Sequence, residues 1–206
     1  MEKQYKGGIF LKDTAFFILC AIITLVTFSN LEISGQVFML RVRLIAVTDI
    51  RGMIAIDEND RTEWGSPEDK KLFKEITTSS GVVIMGRRTF ETIGKKLPGR
   101  LNVVLSRAGQ FKNEKPDIVL SGEPREILKS LKERGYQDVC VIGGQEIFTQ
   151  FINAEVVTDV YITIEPIILP SGINIFDKIE RIYSLKLEKV QLLNDIGSIH
   201  IHYKIK

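Results

Sequence analysis

Cysteine is scarce: Cys20 and Cys140 are the only two in 206 residues, far apart and each inside an apolar run. This argues against a disulfide framework, and without CxxC or other metal-ligand spacing no metal centre is expected. Both read as buried free thiols, which suits a reducing compartment such as the cytoplasm. An excess of one charge is also missing. Lys+Arg 28 against Asp+Glu 26 leave a formal net charge of +2. Neither nucleic acid nor an anionic membrane is therefore expected as the main partner, and an anionic ligand must be held by local charge. There is no internal repeat, no low-complexity stretch, and no linker that would split residues 39–206 into two domains.

What is present begins with an unusual N-terminus. Lys3, Lys6 and Lys12 precede an uncharged run from Thr14 to Phe28, AFFILCAIITLVTF at its core. The run has the makings of a signal-peptide apolar region and is short for a membrane span. Ser34 and Gly35 are small, but no A-x-A cleavage signal follows. A membrane anchor, a signal, and upstream sequence translated from an early start all remain open. The chain is divided accordingly into an extension, 1–38, and a domain, 39–206, with membrane contact expected only if residues 14–28 are an anchor.

From Arg41 onward short β-branched runs alternate with amphipathic helical stretches, the pattern of an α/β domain on a mostly parallel sheet. Strands are predicted at 42–47, 82–85, 101–105, 118–120, 139–142, 160–164, 185–192 and 199–205. Helices are predicted at 67–77, 88–93, 124–134 and 145–152. The last two strands, separated by Asn194-Asp195-Ile196-Gly197, form a terminal antiparallel hairpin.

Trp64-Gly65-Ser66-Pro67-Glu68-Asp69 opens the first helix, with Ser66 as N-cap, Pro67 at the first helical position and acidic residues in the first turn. One reading stops there and makes Asp69 the distal half of a capping box. The other follows Asp69, Leu72, Phe73 and Ile76, whose spacing puts the carboxylate at the end of the helix's apolar stripe. A carboxylate facing an apolar cleft needs a hydrogen-bonding partner, and a heterocycle with two parallel N–H donors supplies one.

Met85-Gly86-Arg87-Arg88-Thr89 sets a glycine at a strand end before two arginines and a hydroxyl at a helix start. That is a phosphate site on physical grounds, or else a solvated basic turn. Ile142-Gly143-Gly144-Gln145 repeats the arrangement and allows close backbone approach of a cofactor, or makes a tight connection. Leu105-Ser106-Arg107 ends a strand in a hydroxyl and a guanidinium suited to another phosphate. Pro98-Gly99-Arg100 presents a planar cation suited to a substrate carboxylate, although alone it reads as a turn.

Together these segments resemble dihydrofolate reductase from Arg41 to Lys206. VVIMGRRTFETIGKKLPGRLNVVLSR, residues 82 to 107, is similar to that family's central cofactor-and-substrate stretch, and VIGGQEIF, 141 to 148, to its diglycine segment. The resemblance implies an eight-stranded sheet with four flanking helices, NADPH as cofactor, a small heterocyclic substrate, and a monomer or homodimer. By position, Asp69 then binds the pterin ring, with Phe73 beside it and Trp64 on a mobile active-site loop. Ala46 and Val47 line the pterin pocket, Ile93 packs on the aminobenzoyl ring, Arg100 binds the glutamate carboxylate, and Thr163 supports Asp69 through solvent. Gly86, Arg87, Arg88 and Thr89 form the phosphate-binding helix start, Ser106 and Arg107 lie near the 2′-phosphate, and Ile142, Gly143, Gly144 and Gln145 lie beside the nicotinamide, the two glycines joined by a cis peptide. The implied reaction is reduction of dihydrofolate to tetrahydrofolate.

Three features depart from the family pattern. The loop IDENDRTE, 56 to 63, is longer and more polar, Lys70 stands at a usually apolar place, and Glu146 stands where some relatives carry an arginine for the 2′-phosphate. DIRGMIA and SPEDKK are also similar to the related reductase domain of riboflavin biosynthesis, which implies a ribosylaminopyrimidine phosphate as the alternative substrate. A pterin- or nucleotide-binding module without turnover is a further alternative.

Overall fold

The computed structural model describes residues 40–112 and 114–206, so Cys20 and the apolar run at 14–28 lie outside the described residues. The described residues lead into strand β1 (Arg41–Thr48), which runs through the middle of the main sheet. The chain continues through β2 (Met53–Ala55), α1 (Pro67–Ser80), β3 (Val82–Gly86), α2 (Arg87–Ile93), β4 (Leu101–Leu105) and β5 (Ile118–Leu120). Then come α3 (Pro124–Glu133), β6 (Asp138–Val141), α4 (Gln145–Asn153), β7 (Asp159–Ile164), β8 (Ile173–Asn174), β9 (Leu185–Leu192) and β10 (Ile199–Ile205). The eight-stranded sheet has the order β5-β4-β3-β6-β1-β7-β10-β9. It is parallel from β5 to β7, and β10 and β9 add the antiparallel pair foreseen at the C-terminus.

Both faces of the parallel part are covered, which explains why its strands read as nearly continuous apolar runs. Val42, Leu44, Val82, Ile84, Val139 and Val141 point to one face, where α3 contributes Leu131 and α4 contributes Phe148 and Phe151. Ile45, Val83, Met85, Val104 and Cys140 point to the other, against Phe90 of α2 and Phe73 and Ile76 of α1. Burial pushes the free Cys140 thiol up to about 11, as befits an inert packing residue.

Several boundaries differ from the sequence expectation. Helix α1 continues to Ser80 instead of stopping at Thr77: the Thr77 hydroxyl donates to the Phe73 carbonyl at 2.7 Å, and Gly81, at φ 77°, supplies the left-handed cap. Helix α2 starts at Arg87, directly after Gly86. Strand β6 spans Asp138–Val141, so Ile142 has already left it, although its N–H still reaches the Ile84 carbonyl at 2.9 Å. The small β2–β8 sheet was not foreseen, because strands of three and two residues are too short to display a period of two.

Candidate active site

Most of the residues singled out from the sequence gather at the C-terminal ends of the parallel strands, the usual binding edge of an open α/β sheet, whereas Arg100 stands at the N-terminal end of β4. Val47 of β1 stands in register with Thr163 of β7. A Cβ placed on Gly65 would lie 3.8 Å from both Val47 Cγ2 and Asp69 Oδ2, so these three residues border one space. Ala46 and Val47 are half-buried, as are Phe73, Ile93 and Ile142, which pack against one apolar cluster with Met85 and Phe90.

Asp69 is buried, 9% exposed, and is not half of a capping box. Ser66 Oγ accepts from the Asp69 N–H at 3.2 Å, but the Ser66 N–H goes to Glu165 Oε1 at 2.9 Å. Glu165 thereby takes over the contact that would have held the Asp69 side chain at the helix end. Its other oxygen, Oε2, accepts from Ser198 Oγ at 2.5 Å. Burial pushes the Asp69 carboxyl above its ordinary range; the Thr163 hydroxyl favours the charged form, the Glu165 charge opposes it, and Lys70 favours it weakly. Thr163 Oγ1 lies 2.9 Å from Nδ1 of buried His200. Burial, with the charges of Lys189 and His202, pushes His200 down to about 4, so it is neutral at physiological pH.

Arg100 is equally buried. Its Nη1 donates to Thr77 Oγ1 at 2.6 Å and its Nε to the Pro98 carbonyl at 3.1 Å, so it pins the turn before β4. Among the described residues no carboxylate pairs with it, and burial lowers its pKa.

A second group of residues forms a glycine cradle. Gly86 N–H donates to the Gly143 carbonyl at 2.8 Å, and the Gly143–Gly144 peptide is cis. A Cβ on Gly144 would come 3.3 Å from Thr89 Oγ1, and one on Gly86 would come 3.2 Å from Ile147. Gly144 caps α4 and Gly86 caps α2 without a side-chain acceptor, so the first-turn N–H groups of α4, from Gln145 on, are left for another acceptor. Arg87 stays within 3.7 Å of Glu91, and both Arg87 and Arg88 are exposed. Arg107 is exposed and without an ion pair among the described residues. Ser106 is turned to its own loop: its hydroxyl donates to the Ala108 carbonyl at 2.7 Å and accepts from the Ala108 N–H at 3.1 Å.

The polar loop before α1 has an internal organiser that the sequence did not reveal. Asp60 accepts from the N–H groups of Ile56 and Thr62, each at 2.7 Å, and from the indole N–H of Trp64 at 3.0 Å. Lys70 Nζ reaches the Glu63 carbonyl at 3.2 Å, and Glu58 pairs with Arg88 at 2.7 Å, so the loop lies against α2. Glu165, His200 and Asp60 were all missed. The nearest thing to a signal was IHIHY, where a period of two puts His200 and His202 on the same face of a strand without saying which face is inward.

Residues 41–184 match the family model described as dihydrofolate reductase. The chain belongs to the dihydrofolate reductase family. Among curated relatives, the dihydrofolate reductase of Lactococcus lactis is 34% identical over 97 residues, which cover 47% of this chain and 56% of that protein, little more than half its length. The solved dihydrofolate reductase of Enterococcus faecalis, complexed with NADP(H), superimposes with a TM-score of 0.63 at 27% identity, over 81% of this chain and 96% of that one. A putative riboflavin biosynthesis protein from Shewanella gives a TM-score of 0.68 at 20% identity, over 81% of this chain and 99% of that one; this is a likeness of fold. Among the described residues no helix is long and apolar enough to cross a membrane.

Proposed function

We propose that this family member reduces 7,8-dihydrofolate to tetrahydrofolate with NADPH. The observation that carries this reading is a ruler along α1. Asp69, Phe73 and Thr77 follow one helical face at intervals of four, and Thr77 holds Arg100. Eight residues of helix rise about 12 Å, so the buried Asp69 carboxylate and the Thr77 hydroxyl that holds the buried Arg100 guanidinium are set about two turns apart on α1, with the half-buried Phe73 between them. A ligand with ring N–H donors at one end and a carboxylate at the other suits that pattern, and each terminus relieves a buried charge that is otherwise poorly compensated.

The glycine cradle fits a dinucleotide because the start of α4, with no side-chain cap, offers backbone donors to a phosphate; the glycines let the surrounding chain pack closely there, since a side chain at Gly86 or Gly144 would crowd Ile147 or Thr89. Arg87, Arg88 and Thr89 would hold it on one side and Arg107 on another, with Ile142 against its nicotinamide end. When bound, NADPH supplies the hydride that goes to C6. Asp69 accepts the ring N–H and the exocyclic amino group, orients the ring, and by its charge raises the basicity of N5. The N5 proton comes through water, since a carboxylate on the far edge of the ring cannot reach it. Trp64, held by Asp60, restricts entry of bulk water.

The test is an NADPH oxidation assay offering dihydrofolate and the ribosylaminopyrimidine phosphate in parallel. Turnover with dihydrofolate and none with the pyrimidine supports the reading. The reverse result replaces the substrate, and oxidation with neither makes the protein a binding module.

A further inference from the structure

We propose that strand β9 is a homodimer interface, in which two copies of this chain join edge to edge through antiparallel β9 strands about a twofold axis at the Glu188-Lys189 bulge. The sheet would run continuously through both subunits.

Among the described residues β9 is the outermost strand and pairs with β10 alone; all eight of its residues are exposed. The exposed residues include Leu185 at 41%, Leu187 at 53%, Val190 at 54% and Leu192 at 62%. Together with Ile199 on β10, 37% exposed, they leave on the order of a few hundred Å² of apolar surface in water, the scale of an interaction patch. A long apolar edge is a template for strand pairing unless something covers it.

The register says what covers it. His202 pairs with Lys189 and Tyr203 with Leu187, so β9 carries an extra residue at Glu188. Without that bulge, Leu187 and Val190, three positions apart, would face opposite sides of the sheet. With it, Leu185, Leu187, Val190 and Leu192 share one face, opposite Ile205, Tyr203, Ile201 and Ile199. The bulge therefore makes the strand symmetric about its own middle.

LKLEKVQL, read outward from the bulge, is complementary to itself in the antiparallel sense. Leu187 meets Val190 of the second copy, Leu185 meets its Leu192, and on the polar face Lys186 meets its Gln191 and Glu188 meets its Lys189. Every contact occurs twice, as a twofold interface requires. No like charges are opposed, although lysine on an edge strand usually serves to repel a neighbour. Glu188 already accepts from Lys186 of its own strand at 3.0 Å, so in the dimer it would lie between two ammonium groups. A bulged edge bends away from a regular strand, whereas a twofold copy bulges at the same point and follows it.

The test is sedimentation equilibrium of the full chain, with circular dichroism to check that each variant is folded. The proposal expects a species of twice the 23.4 kDa chain mass. Leu187→Asp should yield a folded monomer. Glu188→Lys and Lys189→Glu should each weaken association at least tenfold, and the double exchange Glu188→Lys/Lys189→Glu should restore it. A wild-type monomer at tens of micromolar overturns the proposal. So does a dimer indifferent to the single charge changes, which would place the contact elsewhere or stack the apolar faces, and so does a double exchange that fails to rescue.

Discussion

Thr163 Oγ1 and His200 Nδ1 lie 2.9 Å apart inside the protein, and the single hydroxyl proton of Thr163 cannot serve His200 and Asp69 together. His200 is neutral at physiological pH. If its Nδ1 carries the hydrogen, it donates to Thr163 and frees the threonine proton for the Asp69 carboxylate; in the other tautomer Thr163 donates to the histidine. Through Thr163, His200 sets which way the hydroxyl beside Asp69 can donate, which would make it a positioning residue for the acid proposed to hold the ring.

Because the Thr163 hydroxyl favours ionised Asp69, Thr163→Val should raise the Asp69 pKa. Activity that needs the carboxylate is lost as pH falls through that pKa, so the acid limb of the kcat/KM profile should move to higher pH. His200→Leu should move it in the same direction by less. An unmoved limb in both variants would remove this pair from the mechanism.

Asp69→Asn should stabilise the fold near neutral pH. The folded-state pKa of Asp69 is raised, chiefly by burial, so its ionisation opposes folding above the pKa of the unfolded chain. The mutant's advantage in urea midpoint should therefore be full above the folded pKa and shrink as pH falls through it and the wild-type carboxyl protonates. A destabilised mutant at neutral pH would mean that the carboxylate is held by contacts within the protein and is not waiting for a ligand.

Arg100→Leu should raise KM for dihydrofolate roughly ten- to hundredfold, from loss of charged hydrogen bonds worth about 1.5–3 kcal/mol, and barely affect a pterin without a glutamyl tail. The bonds to Thr77 and Pro98 also add a loss of stability of about 1–3 kcal/mol, readable in the urea midpoint. Equal losses for both substrates would reduce Arg100 to a turn residue.

Arg107→Ala should weaken NADPH far more than NADH, since an exposed guanidinium without an ion pair among the described residues is free for the 2′-phosphate. Ser106 will not compensate, because its hydroxyl is engaged with Ala108. Quenching of Trp64, the single tryptophan, reports both affinities; equal losses would assign Arg107 to a contact common to both cofactors.

What the sequence reveals and what it hides divide along physical lines. The parallel strands were legible because two-sided burial makes them apolar runs, and Asp69 because helical periodicity sets it on the stripe with Phe73 and Ile76. The capping-box question had no local answer: Glu165, ninety-six positions beyond Asp69, claims the Ser66 N–H only once β7 is seated beside α1. Asp60 looked like one more polar loop residue, since its role depends on where Ile56 and Trp64 turn. His200 was hidden because the alternation of β10 reads equally well with either face inward. The self-complementarity of β9 needed the bulge, which no periodicity displays.

Asp69 is the residue proposed to hold the reacting ring. The most direct test is the rate of dihydrofolate-dependent NADPH oxidation by Asp69→Asn beside wild type, at saturating cofactor. A neutral amide keeps the shape but loses the charge that favours N5 protonation, so the rate should fall roughly hundredfold or more, with NADPH affinity unchanged. A rate close to wild type would contradict the account.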